Sequence, residues 1–160
     1  MRCKVSLASG LSGTLILRDS AARDRPSPPV DRPPASDAVR IADVIRGILG
    51  AGIQERESFF VVTLDQRKRL INAHQLTVGT LMAAMIHPRD VFSRAFADNA
   101  ATIVIAHNHP SGDPTPSLED CQVTQRITDG GKLLGVQLLD HVIVAAETHY
   151  SFRETGLCLS

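Results

Sequence analysis

Two histidines and an aspartate set the chemistry open to this chain. The segment His107-Asn-His109-Pro-Ser-Gly-Asp-Pro-Thr-Pro-Ser117-Leu-Glu-Asp120 places imidazoles at i and i+2 as a strand ends. Residues so spaced point to the same side of the backbone, so both rings can donate a nitrogen to one ion. Asp120 follows eleven residues after His109, in the first turn of the next helix. Two His and one carboxylate form the ligand set of a catalytic zinc that keeps an open position for water. The stretch between them is dense in proline and glycine, stiff enough to help fold Asp120 back over the histidines. A plainer reading stands beside this one. The histidines can be two partly exposed side chains, and Ser117-x-x-Asp120 is also a capping box that satisfies N–H groups at a helix start. Each piece alone is weak evidence; together they favour a site, and Ser117 can serve both readings.

The elements that must position these residues are legible as patterns. Ser36 is placed to cap a helix in which Ile41, Val44, Ile45, Ile48 and Leu49 recur along one face, with Gly50 and Gly52 at its end. Glu57 to Asp65, ESFFVVTLD, is short, β-branched and aromatic and reads as a buried strand. Asp65-Gln-Arg-Lys is a turn, and residues 69–77 are the antiparallel return strand. Pro88 suits a helix start, with Val91, Phe92, Ala95 and Phe96 as its apolar stripe. Ala101 to Ala106 is another buried strand and delivers His107 at its end. A helix runs from about Ser117 to Leu134, its last turns weakened by Gly130 and Gly131. Val136 to Val144 and Tyr150 to Phe152 complete the strands. Helix, paired strands, helix, strand, helix, strand predicts a mixed α/β domain with helices covering a sheet.

The totals bound what the chain can be. With 160 residues it can bury one real core. Its 17 basic residues balance 17 acidic ones, which argues against a protein built chiefly to grip a phosphate backbone. Cys3, Cys121 and Cys158 are far apart and odd in number, so neither a disulfide framework nor a zinc ribbon is indicated. That usage suits a reducing cytoplasm. No apolar run is long enough to span a bilayer. Arg2 and Lys4 ahead of a mildly apolar stretch faintly imitate a signal peptide, but Ser6, Ser9, Gly10, Ser12 and Gly13 interrupt it, and export is not expected. Residues 22–35 hold five of the nine prolines and read as a stiff extended spacer. Residues 1–35 are therefore expected to be a leader and linker, with the folded domain over 36–160.

The motif itself resembles a known one. His-x-His-Pro, six residues, Ser, two residues, Asp is similar to the JAMM motif of JAB/MPN metallopeptidases without a gap. The surrounding text resembles the RadC family over roughly residues 38–154: Glu57 to Asp65, Val78-Gly-Thr80, His87-Pro-Arg89-Asp-Val-Phe92, Asn99-Ala100, HNHPSGDPTPS, Asp120 and Leu139-Asp-His141-Val-Ile143. The resemblance implies a JAB/MPN-like mixed sheet with helices packed against it, a layered sandwich like that of cytidine deaminases. It implies one Zn(2+) per chain on His107, His109 and Asp120, and amide hydrolysis of a peptide or protein substrate. It makes Glu57 the general base on a water activated by zinc, whose pKa falls toward ~7, with Glu55 a weaker, off-register candidate. It gives Ser117 a hydrogen bond to the oxyanion of the tetrahedral intermediate, a donor worth ~100-fold or more in rate. RadC proteins usually carry an N-terminal domain of helix-hairpin-helix type, in whose place this sequence has a proline-rich leader.

Two other functions compete. Against a DNA-repair or recombination accessory stand the balanced charge, the absence of a stacking-aromatic array and the proline-rich leader in place of the N-terminal domain. A zinc-bound interaction module without catalysis would need neither Glu57 nor Ser117. The letters HNH at 107–109 do not make a nuclease of that name, and the deaminase H-x-E and P-C-x-x-C pairs are absent. Among the remaining polar residues, Arg89 is read as pairing with Asp90 or Asp98. His74 and His149 are read as surface groups, and Asn108 as holding its loop. Asp140 or His141 could orient a ligand histidine, though satisfied polar groups of the fold are the simpler reading. An exposed sheet edge would allow two copies to pair; nothing in the residues demands it.

Overall fold

The computed structural model describes residues 2–6, 12–16, 37–79 and 86–157. Most of the leader, the proline-rich spacer, Ser36, Thr80 and Cys158 lie outside them. The chain divides into two compact units, residues 1–30 and 31–160. In the first, β1 (Arg2–Ser6) pairs antiparallel with β2 (Ser12–Ile16).

The second unit is built on a five-stranded sheet. Helix α1 (Ala38–Leu49) starts one residue later than the sequence reading, with the Asp37 carboxylate accepting the Val39 N–H at 3.1 Å. Gly50 ends it at φ 53°, and a 3-10 turn over Gly50–Gln54 follows where the pattern suggested a plain helix stop. β3 (Ser58–Leu64) is buried along its whole length, and β4 (Leu70–Val78) returns beside it. Next come α2 (Pro88–Ala97), β5 (Thr102–Asn108), α3 (Leu118–Leu134), β6 (Gln137–Val144), β7 (His149–Ser151) and α4 (Phe152–Thr155). The strand order is β4-β3-β5-β6-β7, antiparallel except for the parallel pair β5 and β6 that α3 connects. This is the mixed α/β architecture expected of a JAB/MPN-like domain.

Both faces of the sheet are covered, which is why β3 and β5 read as continuous apolar runs rather than alternating ones. Ala38, Ile41, Ala42 and Ile45 of α1 pack on one face against Phe60, Val62, Leu64, Val104 and Val142. On the other, Val91, Phe92 and Ala95 of α2 and Val123 and Ile127 of α3 meet Phe59, Val61, Ile103 and Ile105. Each large side chain so buried contributes about 1.5–3 kcal/mol.

Two readings are corrected, and the glycines of α3 gain a reason. Phe96 is 55% exposed: the buried stripe of α2 is Val91, Phe92 and Ala95, and Phe96 turns outward. Phe152 begins a short helix capped by Ser151 instead of ending the last strand. Gly130 and Gly131 lie inside a helix that runs on to Leu134, and they are there for packing. A Cβ on Gly131 would sit 2.5 Å from the Val136 carbonyl oxygen, and one on Gly130 would sit 2.8 Å from the Phe92 ring. Their small size lets α3 lie close against β6 and α2.

Candidate metal centre

His107 and His109 leave the C-terminal end of β5, and Asp120 lies in the first turn of α3, the helix that follows. The nine-residue link between β5 and α3 turns back on itself at Pro110-Ser-Gly112, where Gly112 takes φ 86° and donates to the His109 carbonyl at 3.1 Å. Asp113 tightens its second half by accepting from both the N–H and the hydroxyl of Thr115. The three side chains converge. His107 Nε2 is 3.0 Å from His109 Nε2 and 3.1 Å from Asp120 Oδ1, while His109 Nε2 is 3.8 Å from Asp120 Oδ2. His107 and Asp120 are buried and His109 half-buried. Four ligands at about 2.0–2.1 Å around a tetrahedral ion stand about 3.3 Å apart, so the first two separations are close to two edges of such a site.

The donor set has the chemistry a cation needs. His109 Nδ1 lies 2.8 Å from the Asp113 carbonyl, which can only accept, so Nδ1 carries the proton and Nε2 of the neutral ring is a lone pair. A carboxylate oxygen beside it offers only lone pairs. Such groups repel one another at these distances unless a positive charge sits among them. Among the described residues, His107, His109 and Asp120 form a cluster positioned to hold a metal ion.

The two oxygens of Asp120 divide the work. Oδ2 accepts from the Ser117 N–H at 2.8 Å and the Ser117 hydroxyl at 2.6 Å, while the Asp120 N–H donates to Ser117 Oγ at 3.1 Å. The capping box is therefore complete, and Oδ1 still faces His107. Burial raises the Asp120 carboxyl, but the bond and charge of His107 and the two bonds from Ser117 outweigh it. The group is held well below the usual carboxylate range. The Ser117 hydroxyl has one proton, and that proton is on Asp120; donating to an oxyanion would require it to turn away.

Glu57 lies immediately before β3 and is half-buried, its carbonyl accepting from Gly79. Phe59 stands opposite His107 in the β3–β5 register and stacks on its ring at 5.7 Å. The paired register ends there, and Glu57 precedes it by two residues. Glu55 is exposed in the turn before it.

Other polar residues resolve cleanly. Asn108 is fully buried and bonds to Ser58, Ile53 and Arg56, so it holds the loop. Asp140 accepts from Ser151 Oγ and the Arg153 N–H, serving α4; burial pushes its carboxyl up. His141 turns toward the site: its Nε2 is 2.9 Å from His107 Nδ1, and its Nδ1 is 2.6 Å from Thr124 Oγ1. Complete burial first, then the neighbouring His107, holds its imidazole well below the usual value. Thr124 was silent as a motif, although its place four residues after Asp120 puts it on the same helix face. His74 is not simply a surface group: it is half-buried and 2.6 Å from Asp98. Arg89 pairs with Asp90 at 3.7 Å.

Comparison with known proteins agrees with this geometry. The family model described as "RadC-like JAB domain" matches residues 36–157. A UPF0758 protein of Thermotoga maritima is 51% identical over 102 residues, which is 64% of this chain and 46% of the relative. UPF0758 proteins of Desulfitobacterium hafniense and Methanosarcina mazei are 44% and 40% identical over 103 residues, 64% of this chain and 45% of each relative. The chain spans about half the length of the curated relatives it matches.

Proposed function

The chain belongs to the RadC-like JAB domain family, and from that premise we propose that it is a zinc-dependent amide hydrolase acting on a peptide or protein substrate. His107, His109 and Asp120 would hold one zinc ion per chain. The observation that carries this reading is the convergence of their possible ligand atoms within 3.0–3.8 Å. Two imidazoles and a carboxylate are a ligand set suited to zinc with a coordination position left open. The ion, when bound, supplies Lewis acidity that polarises an amide carbonyl and acidifies a water.

The chain's own residues do the rest. Glu57 takes a proton from the attacking water as its oxygen adds to the carbonyl carbon. It returns that proton to the nitrogen as the C–N bond breaks, so water divides between a new carboxylic acid and an amine. Ser117 supports the oxyanion with its hydroxyl, released from Asp120. Phe59, stacked on His107, and the buried Asn108 keep the base and the histidines in register.

One observation favours a second reading, a zinc-bound interaction module without catalysis: the Ser117 hydroxyl is spent on the helix cap. A cytoplasmic location is part of this proposal; among the described residues no helix is long and apolar enough to cross a membrane.

The test is metal content by elemental mass spectrometry beside a His107→Ala/His109→Ala double variant, followed by a peptide-library screen of the loaded protein. Near one zinc per chain, lost in the variant, with cleavage that requires Glu57, would support hydrolysis. Zinc without cleavage would favour the interaction module, and no zinc in either protein would sink both.

A further inference from the structure

We propose that Thr124 and His141 act as positioning residues that hold His107 Nδ1 as a hydrogen-bond donor and so aim its Nε2 at His109 and Asp120. The proposal concerns the same centre and rests on its reading as a metal site. It follows from counting protons along a buried chain. The Thr124 hydroxyl is 2.6 Å from the Asp120 backbone carbonyl and 2.6 Å from His141 Nδ1. A carbonyl can only accept, so the single hydroxyl proton goes to Asp120 and Thr124 offers His141 only a lone pair. His141 Nδ1 must therefore donate.

The other side of His141 then decides His107. The ring is completely buried, stacked on Phe152 at 4.7 Å and tilted against Phe59 at 6.0 Å. A second proton on its Nε2 would leave a cation in an apolar box with no carboxylate bonded to it. With Nε2 unprotonated, His141 accepts, and His107 Nδ1, 2.9 Å away, is the donor. His107 consequently keeps its Nδ1 proton on His141 and turns its Nε2 toward His109 and Asp120. A ligand histidine commonly donates its far N–H to a carboxylate or backbone carbonyl. Here a second imidazole takes that place and has no fixed polarity of its own, so Thr124 must supply it. The helix that carries the ligand Asp120 thus also orients the ligand His107, through the carbonyl of Asp120 itself.

The experiment compares the full chain with Thr124→Val and Thr124→Ser. Two readouts are needed: nitrogen-detected NMR of the imidazoles in metal-free protein, and zinc affinity by competition with a chelator. Wild type and T124S should show His107 protonated on Nδ1. T124V removes the acceptor for His141 Nδ1, so its rings should populate the reversed arrangement, with the proton lost from His107 Nδ1. Zinc affinity should fall on the order of tenfold in T124V and recover in T124S. An unchanged His107 tautomer in T124V would overturn the proposal, whether or not zinc affinity fell. A tautomer that responds as expected in a protein that never binds zinc would uphold the relay and sink the metal reading.

Discussion

The side chain of Asn108 accepts the backbone N–H of Ser58 at 2.8 Å, tying the residue between the two site histidines to the start of the strand that Glu57 precedes. Its amide also donates to the carbonyls of Ile53 and Arg56 at 2.7 and 2.9 Å, so a fully buried side chain clamps the whole approach to β3. Asn108→Ala should strip partners from one buried N–H and two carbonyls and cost on the order of 3 kcal/mol. Denaturant unfolding checks this. A loss below about 0.5 kcal/mol would show the clamp to be replaceable by water.

Glu57→Gln should leave zinc content as in wild type while slowing amide hydrolysis about 100- to 10,000-fold, the usual worth of a positioned base. Loss of zinc in that variant would make Glu57 a ligand instead.

Ser117→Ala removes the cap and should cost ~1 kcal/mol of stability. If turnover of the loaded protein also drops ~100-fold, the hydroxyl has a second use. A purely thermal effect would confine it to the helix start.

Asp120→Asn should weaken zinc binding, and in metal-free protein it should destabilise most near neutral pH. The folded-state carboxyl is depressed by His107 and Ser117 against the opposing effect of burial. Its stabilisation is therefore present above the unfolded value of ~3.9 and fades as the pH falls through the folded one. Melting of wild type and variant should converge in acid. Parallel curves from neutral to strongly acidic pH would contradict this.

Gly131→Ala forces a Cβ to within 2.5 Å of the Val136 carbonyl oxygen, which is backbone and cannot yield cheaply. A loss of about 1–3 kcal/mol is expected from overpacking. A thermal shift no larger than that of an exposed Ala substitution on α3 would mean that the helix moves freely against β6.

The site triad was legible in sequence because each of its parts has a local signature. Residues at i and i+2 on a strand share a side, and Ser-x-x-Asp marks a helix start whether or not an ion is present. What surrounds the triad was not legible, for long-range reasons. His141 and Asp140 look equivalent as neighbours, yet one faces Thr124 and the other Ser151, a choice set by the alternation of β6 against its neighbours. His74 carries no local cue for Asp98, which comes from the end of α2. Phe96 fits the apolar period of α2 as well as Phe92 does, and only the tilt of that helix on the sheet separates them. The glycines of α3 read as defects until the carbonyl of Val136 is seen beside one of them.

The strand-helix-strand crossover from β5 through α3 to β6 contains the three residues proposed to hold the ion and the two that hydrogen-bond in line behind His107, all between positions 107 and 141. His107, His109 and Asp120 lie within a 14-residue segment, so bringing them together closes a small loop at low entropic cost. Glu57 arrives from a separate hairpin some fifty residues earlier. During folding the crossover can thus gather its ion before the hairpin docks, so ion capture and catalytic competence would emerge as two kinetic phases. Stopped-flow refolding with a zinc-sensitive dye beside amide-exchange labelling of β3 would see them as one phase if the domain instead condenses all at once.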